Sequence, residues 1–443
     1  MVEAYSDEHR RTHDCGQLRA TDAGRPARLV GWVARRRDLG GFIFVDLRDR
    51  HGLTQVVFDP AHRQLFEQAR QLRPEWVVGV AGQVRSRGEN VNRSLPTGEV
   101  ELLAEKLAVF NGADTPPFHP TDKLDAREEL RLRYRYLDLR RPLMTANLLR
   151  RHQVCQVVRS SLVEQGFLEI ETPALIKSTP EGARDFVVPS RLHERQFYAL
   201  PQSPQIFKQL LMIAGYDKYF QLVKCFRDED LRADRQPEFT QVDCEMAFVE
   251  QEDVLNVFEG LIKELLSSVV NYKVEGDFPR MTWAEAMRRY GTDKPDIRYD
   301  LEIIDITDKE VINNAGFKLF DEAEYIAGLK VESLSNLSRK QLDKLTSFLK
   351  QMDLGINGLI YIKGPNEDYK SSLNIFPKEK LIHIRRIFKA KKEEVVFILV
   401  GKKIETQLAL SRFRLKLIEQ FKVKPKKKFA PLWVTEFPLL EWD

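Results

Sequence analysis

One short stretch of the chain alternates carboxylates and arginines between two apolar runs. Residues 225–245 read CFRDEDLRADRQPEFTQVDCE. Because side chains on a strand alternate between faces, Arg227 and Glu229 share one face of a first arm, and Phe239 and Asp243 share one face of a second. An antiparallel pair of such arms presents a surface suited to a nucleotide, since arginine binds phosphate oxygens and an aromatic ring stacks on a base. A solvated hairpin held by cross-strand ion pairs is the alternative.

A second candidate site lies at the start of a predicted helix in LPQSPQIFKQLLMIAG. Ser203 suits the N-cap and Pro204 the first helical position. Gln205 and Lys208 are three residues apart, so they share a face near the helix N-terminus. An amide and an ammonium at that end favour an anionic ligand. An ordinary surface lysine on an amphipathic helix is the competing interpretation.

Regular elements must position both sites. Up to about residue 110, five short strands separated by Gly, Pro and Asn signals predict a small barrel. The segment NGADTPPFHPTDK is a polar, proline-rich linker, and an amphipathic helix follows over 143–165. A mixed helix and strand module is predicted from about 300 to 420, with a capping box at Ser338 and Gln341.

The predicted barrel carries its own candidate binding face. In GFIFVDLRD, apolar side chains that can fill a barrel alternate with Phe42, Phe44 and Asp46. Exposed aromatic rings beside the preceding arginines suit unpaired nucleic-acid bases, by stacking and by charge. The alternative places both phenylalanines in the core and leaves the arginines solvated.

Composition narrows the class of protein. The chain has 443 residues, and its formal net charge of +4 gives no argument from the total for nucleic-acid binding. Its four cysteines form no C-x-x-C pair, which disfavours a disulfide framework or a cysteine-based zinc site. The N-terminus has no apolar signal-peptide core and no apolar run reaches membrane-spanning length, so we expect a cytoplasmic protein without membrane contact.

The motifs together resemble the class II aminoacyl-tRNA synthetases. FRDED followed by RQPEFTQVD is similar to the second signature motif of that family, and the helix over 143–165 with its strand and Pro173 is similar to the first. TPEGARDFVVPS and FYALPQSPQIFKQLLM resemble the bacterial type of aspartyl-tRNA synthetase, in subclass IIb. The resemblance extends over essentially the whole chain.

The resemblance implies a multidomain α+β protein. It would combine an N-terminal OB-fold β-barrel, a class II antiparallel sheet with helices and an inserted α+β domain of the bacterial type. The expected boundaries are 1–112 for the anticodon-binding barrel, 113–140 for a linker or hinge, and 141–290 for the first part of the catalytic domain. The inserted domain would span 291–420, and 421–443 would be the truncated start of the second part of the catalytic domain.

The resemblance also assigns the active-site residues. It implies that aspartate is bound by Glu181, Gln205, Lys208, Arg227 and Asp243. Lys208 would hold the side-chain carboxylate of aspartate, and Glu181 its ammonium. Lys208 also disfavours asparagine or lysine as substrates, because an unpaired buried charge is costly.

The resemblance also implies which residues bind the nucleotide and which bind the tRNA. ATP would be bound by Arg227, Asp228, Glu229, Gln236 and Phe239, with Arg227 the catalytic residue at the α-phosphate and Phe239 stacked on adenine. The anticodon would be read by Arg37, Phe44, Gln55 and Glu101. Leu39 occupies a position that influences the choice between tRNA-Asp and tRNA-Asn, and that choice stays open.

The implied reaction has two steps and needs no side-chain nucleophile. Aspartate attacks ATP to give aspartyl-adenylate and pyrophosphate, and the terminal ribose of the tRNA then takes the aspartyl group. Positioning and neutralisation of phosphate charge supply the catalysis, with Mg²⁺ sharing the task. A homodimer through the first-motif helix is also implied.

One departure from the family concerns its third motif. A glycine-rich segment ending in arginine does not occur before Asp443, so we expect the Mg²⁺ ligands beyond this residue, no metal ligand within the chain, and impaired aminoacylation by these 443 residues. Two alternatives remain: a non-catalytic tRNA-binding relative, or a subclass IIb enzyme that charges asparagine or lysine.

Overall fold

Five strands near the N-terminus close into a barrel in the computed structural model. The barrel is formed by β1 (Pro26–Leu39), β2 (Phe42–Asp49), β3 (Gly52–Phe58), β4 (Val77–Ser86) and β5 (Val100–Asn111), with α1 (Arg63–Gln71) between β3 and β4. The strand order is β1-β2-β3-β5-β4. Ile43, Val45 and Leu47 are fully buried in it, whereas Phe42 and Phe44 are half-buried. The predicted barrel and its alternation are therefore confirmed.

The structure describes residues 10–179, 182–232, 234–308, 318–332, 337–356, 358–364, 369–372, 376–391 and 393–440. These residues form two compact units, Met1–Val274 and Glu275–Asp443. Within the described ranges, no helix combines the length and the apolar character needed to cross a bilayer.

After the barrel, the first unit continues through helices into a small sheet. The helices are α2 (Glu128–Arg133), α3 (Arg135–Asp138), α4 (Pro142–Glu164), α5 (Gln205–Ile213) and α6 (Gln251–Val270). The strands are β6 (Leu168–Glu169), β7 (Val187–Pro189), β8 (Phe197–Ala199), β9 (Lys218–Phe226) and β10 (Glu238–Met246). Pro142 occupies the first turn of α4, where its missing N–H leaves no helical hydrogen bond unmade.

The sheet of order β10-β9-β6 has two different faces. One face packs on α4 and α6 through a cluster that includes Val158, Leu162, Phe220 and Leu261. Because side chains alternate along a strand, the neighbours of Phe220 point to the opposite face. That opposite face carries the candidate site.

The second unit is a mixed α/β structure. Its strands are β11 (Arg280–Thr282), β12 (Ile304–Asp305), β13 (Tyr325–Val331), β14 (Ile360–Lys363), β15 (Lys370–Ser371), β16 (Val395–Gly401) and β17 (Trp433–Thr435). Its helices are α7 (Trp283–Tyr290), α8 (Lys318–Asp321), α9 (Arg339–Lys350), α10 (Lys378–Ile387) and α11 (Lys403–Phe421). The main sheet has the order β12-β13-β16-β14-β15, and β11 pairs with β17 in parallel. The predicted capping box forms: the Ser338 hydroxyl accepts from the Gln341 backbone and the Gln341 side chain accepts from the Ser338 backbone.

Candidate active site

The β9–β10 hairpin is the framework of the site. Its strands pair antiparallel, with Phe239 opposite Cys225 and Asp243 opposite Gln221. These residues alternate with those that face α4 and α6, so they share the opposite face of the sheet. The Cys225 thiol donates to Oε1 of Gln241, 2.9 Å away, which adds a cross-strand link near the loop end of this face. The antiparallel hairpin predicted from residues 225–245 is present.

A cavity of about 410 Å³ opens at the end of the hairpin where β9 leads into the loop. It is lined by Arg227, Glu229, Asp230, Leu231, Asp234, Arg235, Gln236, Pro237 and Phe239. The guanidinium carbon of Arg227 lies 5.0 Å from the centre of the Phe239 ring, within the range of a cation–π contact. The backbone N–H of Arg227 donates to the carbonyl of Pro237 at 2.9 Å, which extends the strand pairing to the rim of the cavity.

The other residues predicted to bind ATP divide into two groups. Glu229 and Gln236 line the cavity, and Glu229 also lies 3.1 Å from the guanidinium of Arg235. Asp228 is not among the lining residues; its backbone N–H donates to the carbonyl of Arg184 at 3.1 Å. The charged loop therefore forms one wall of the cavity, and Asp228 joins it to the segment that contains Arg184.

Lys208 reaches from α5 to the same face of the sheet. Its ammonium nitrogen lies 2.9 Å from Oδ1 of Asp243 and 3.3 Å from Oε2 of Glu245, and only 12% of its side chain is exposed. Burial acts to lower the pKa of Lys208, but the hydrogen bond and charge of Asp243, with those of Glu245, raise it overall. Lys208 is thus held in its charged form at the sheet surface.

Asp243 has one satisfied and one unsatisfied oxygen. The residue is 5% exposed. Its Oδ1 accepts from Lys208, while Oδ2 is buried and makes no close hydrogen bond within the described residues. The Tyr219 hydroxyl donates to Oε1 of Gln221 at 3.0 Å but also lies near enough to act on the Asp243 carboxylate. Burial, with the nearby charge of Glu245, raises the pKa of Asp243 above its ordinary value, and the contacts of Lys208 and Tyr219 offset this only in part. A buried acceptor without a donor is costly, and a ligand ammonium at Oδ2 would remove that cost.

Comparison with known proteins decides the family. A family model for class II tRNA synthetases (D, K and N) matches residues 127–442, and a model for an OB-fold nucleic acid binding domain matches residues 27–110. The chain is 48% identical over 437 residues to the aspartate–tRNA ligase of Phocaeicola vulgatus, which covers 98% of this chain and 74% of that protein. It is 49% identical over 438 residues, with the same two coverages, to the aspartate–tRNA ligase of Porphyromonas gingivalis. The chain belongs to the aspartate–tRNA ligases.

A solved structure confirms the fold of this ligase at greater distance. The asparaginyl-tRNA synthetase from Pyrococcus horikoshii, complexed with asparaginyl-adenylate, superposes with a TM-score of 0.55. The alignment covers 91% of this chain and 96% of the other at 20% identity. At that identity the likeness supports the multidomain α+β architecture and carries no information on the substrate.

The side-chain amide of Gln202, a residue that the sequence did not single out, is buried and holds the loop beside the β9–β10 hairpin. Gln202 is almost fully buried and accepts from the backbone N–H of Ala183 at 3.1 Å. Its Nε2 donates to the carbonyl of Ala183 at 2.8 Å and to Oδ1 of Asp185 at 2.5 Å. Hydrogen bonds from Ser178 and Gln202 hold the pKa of Asp185 below its ordinary value. Glu181, predicted to contact the substrate ammonium, lies outside the described residues.

The helix that carries Lys208 begins one residue later than the sequence indicated. Pro204 is the N-cap residue and Gln205 the first residue of α5, so Ser203 is not the N-cap. Gln205 and Lys208 are both half-buried on the helix, one turn apart. Glu245 is a second residue that sequence reasoning missed as a partner of Lys208, although its position two residues after Asp243 places it on the same face.

The barrel brings most of the predicted anticodon residues together. Gln55 donates from Nε2 to Oε2 of Glu101 at 2.7 Å, and Arg37 donates to Oε1 of Gln55 at 3.3 Å. Arg37 also lies 2.5 Å from Oδ1 of Asp46, and it stands opposite Phe44 in the strand register. Leu39 is exposed at the end of β1. Burial raises the pKa of Asp46, against the lowering effect of Arg37 and of Arg35 and Arg87.

The described residues hold no group of three or more His, Cys, Asp or Glu side chains arranged to bind a metal ion.

Proposed function

We propose that the face of the β9–β10 hairpin binds aspartate and ATP together and aligns them for formation of aspartyl-adenylate. Phe239 and Asp243 share that face and are four residues apart, which corresponds to roughly 13 Å along a strand. An amino acid joined to a nucleoside through one phosphate can span this separation. The base would lie at Phe239 and the amino acid at Asp243.

The pairing of Lys208 with Asp243 is the observation that carries the proposal. Aspartate offers a side-chain carboxylate for the Lys208 ammonium and an α-ammonium for Oδ2 of Asp243, which is buried and makes no close hydrogen bond in the structure. Asparagine offers a neutral amide instead, which leaves the buried lysine without a new counter-charge. Gln205 and the segment with Glu181 would complete the amino-acid site.

Arg227 would change partners when the nucleotide binds. In the structure its guanidinium covers the Phe239 ring. We infer that adenine replaces it over the ring and that the released guanidinium turns to the α-phosphate. Glu229 and Gln236, which line the same cavity, would then contact the nucleotide, and Asp228, next to Glu229 in the chain, would complete the ATP-binding set.

The chemical step follows from this placement. A carboxylate oxygen of aspartate forms the new bond to the α-phosphorus, and the bond to pyrophosphate breaks. Arg227 neutralises charge on the phosphate as it develops, and the hairpin holds the reacting atoms in line. ATP is expected to arrive with Mg²⁺, which supplies further charge neutralisation when bound.

The partners that we propose for the chain are a tRNA and a second copy of the chain. We propose that Arg37, Phe44, Gln55 and Glu101 read the anticodon of tRNA-Asp, with Leu39 at the position that bears on tRNA-Asn. A homodimer through α4 is supported by exposed leucines on that helix, Leu143, Leu148 and Leu149. The four cysteines, all within the described residues, form no disulfide, which is consistent with a reducing, cytoplasmic setting.

Thermal unfolding of the chain with ATP and one amino acid at a time tests the proposed substrate. Aspartate with ATP should raise the midpoint temperature by several degrees, because a ligand that binds only the folded state stabilises it. Asparagine and lysine at the same concentration should give no shift beyond that of ATP alone. An equal shift with asparagine would refute the proposed role of Lys208.

A further inference from the structure

Glu75 lies between the barrel and the helices that follow the linker, in an environment unusual for a carboxylate. It is 5% exposed and directly precedes Trp76 at the start of the β4 region. Its φ angle is 67°, in the left-handed region that non-glycine residues seldom adopt. Such a conformation costs about 1 kcal/mol or more and persists only where surrounding contacts enforce it. Its backbone N–H donates to the carbonyl of Val33 at 2.8 Å.

Two arginines from different parts of the first unit converge on this carboxylate. Nη2 of Arg48, on β2, lies 2.9 Å and 2.8 Å from the two oxygens of Glu75. Nη1 of Arg140, which lies between α3 and α4, is 2.6 Å from Oε2. The guanidinium carbon of Arg140 also lies 4.9 Å from the centre of the Trp32 ring on β1. Arg140 therefore contacts the barrel by an ion pair and by a cation–π contact.

The next residue, Arg141, binds on the other side of the same junction. Its Nη1 donates to Oδ1 of the fully buried Asp138 at 2.9 Å. Its Nε donates to the carbonyl of Thr121 at 3.2 Å, and its Nη2 lies 3.6 Å from Asp122. The two consecutive arginines thus connect the start of α4 to the barrel and to the linker.

We infer that Glu75 is a positioning residue that, through Arg140, fixes the barrel against the start of α4 for tRNA binding. Planar guanidinium and carboxylate groups pair with defined geometry, so the contact specifies an orientation as well as an attraction. The inference rests on the proposed recognition of tRNA by both the barrel and the hairpin. A ligand that binds two sites gains affinity only when both can be engaged at once, and a loose junction reduces that gain.

The expected effect differs from that of a simple RNA-binding arginine. Removing the negative charge of Glu75 frees Arg140, which would strengthen RNA binding if Arg140 acted only by attracting phosphate. A positioning role for Glu75 predicts weaker RNA binding when its charge is removed. Glu75→Gln keeps the shape of the side chain, and Arg140→Ala leaves the Glu75–Arg48 pair inside the barrel intact, so the two variants separate loss of orientation from damage to the barrel.

The test compares two RNA ligands on the full chain by fluorescence anisotropy: a tRNA-Asp transcript, and its anticodon stem-loop alone. Both variants should bind the transcript at least about tenfold more weakly, and the stem-loop within about twofold of the unsubstituted chain. Arg70→Ala, which breaks an exposed pair with Glu67 on α1, should change neither affinity.

Three outcomes would overturn the inference. Unchanged or stronger binding of the transcript by Glu75→Gln would show that the junction does not position the barrel. Equal weakening of both ligands by Arg140→Ala would show that the residue acts within the barrel. Failure of the unsubstituted chain to bind the stem-loop would refute the proposed anticodon function as well. The first two outcomes refute only the positioning role, so the two kinds of failure can be told apart.

Discussion

The ammonium of Lys208 lies 2.9 Å from the carboxylate of Asp243, and both groups are largely withdrawn from solvent. A helix and a strand thereby meet through an ion pair on the face of the sheet that carries Arg227 and Phe239. A buried pair of this kind gives little net stability, because desolvation offsets most of the attraction, but it places two opposite charges at fixed positions. The pair is suited to a substrate that itself carries both charges.

Removal of Lys208 should destabilise the fold in a pH-dependent way. Lys208→Met leaves Asp243 buried without its counter-charge, and we expect a loss of roughly 3 kcal/mol in the free energy of unfolding at neutral pH. The folded pKa of Asp243 already lies above its ordinary value of 3.8, so the folded state takes up protons before the unfolded state does. The loss should therefore shrink as the pH falls through the folded pKa.

Urea denaturation at neutral and mildly acidic pH measures this effect. Lys224→Met is the matched control, because Lys224 lies on the same strand pair in an exposed ion pair with Glu238 and should cost less than about 1 kcal/mol. A loss that is independent of pH would show that Asp243 is not the group left uncompensated.

The nucleotide end of the site should depend on Phe239 and Arg227 separately. Phe239→Leu removes the stacking ring, and Arg227→Lys keeps the charge but loses the planar donors. Each should weaken ATP binding about tenfold, as measured by calorimetry. Phe248→Leu, at a residue that is almost fully exposed, should have no effect. Unchanged ATP affinity in both site variants would place the nucleotide elsewhere.

The barrel should bind RNA more strongly as the pH falls. Asp46 faces Arg37, with Arg35 and Arg87 also near, and burial raises its pKa above 3.8. Above the folded pKa the ionised carboxylate neutralises Arg37; below it the guanidinium charge becomes available to RNA. Affinity for an anticodon stem-loop should rise in the unsubstituted chain as the pH falls from neutral through the raised folded pKa of Asp46. Asp46→Asn should abolish this dependence, and an identical slope in both proteins would assign it to other groups.

The loop beside the hairpin should depend on Gln202. Gln202→Leu leaves the backbone groups of Ala183 without their Gln202 partner and removes one hydrogen bond to Asp185, which keeps that from Ser178. We therefore expect faster hydrogen exchange over residues 182–185. Aspartate affinity should fall several-fold because the neighbouring segment includes Glu181. Gln209→Leu, on the exposed side of α5, is the control. Unchanged exchange over 182–185 would contradict the proposed role.

Local patterns predicted the framework well because they are set by nearest neighbours. The strands of the barrel, the antiparallel hairpin and the capping box at Ser338 follow from alternation, turn residues and hydrogen bonds over three residues. The long motifs then identified the family. The start of α5 was misplaced by one residue, since Ser203 and Pro204 are both acceptable caps.

Contacts between distant segments were not predictable in the same way. Glu75 meets Arg140 across 65 positions, and Gln202 meets Ala183 across a loop. Nothing in the local sequence of either residue indicates its partner. The apolar residues Ile206 and Leu210 of α5 are exposed, although apolar side chains at helical spacing usually face a core. The helix meets the sheet through Lys208 and Asp243, a contact that its local pattern does not indicate.

We expect Lys208 to select an acidic amino acid on the surface where Arg227 and Phe239 would hold the nucleotide. Calorimetric titration with two stable adenylate analogues, aspartyl-sulfamoyl-adenosine and asparaginyl-sulfamoyl-adenosine, measures this selectivity. The chain should bind the aspartyl analogue at least about a hundredfold more tightly, and Lys208→Met should remove most of that difference. Equal affinities in the unsubstituted chain, or a preference that persists in Lys208→Met, would contradict the claim.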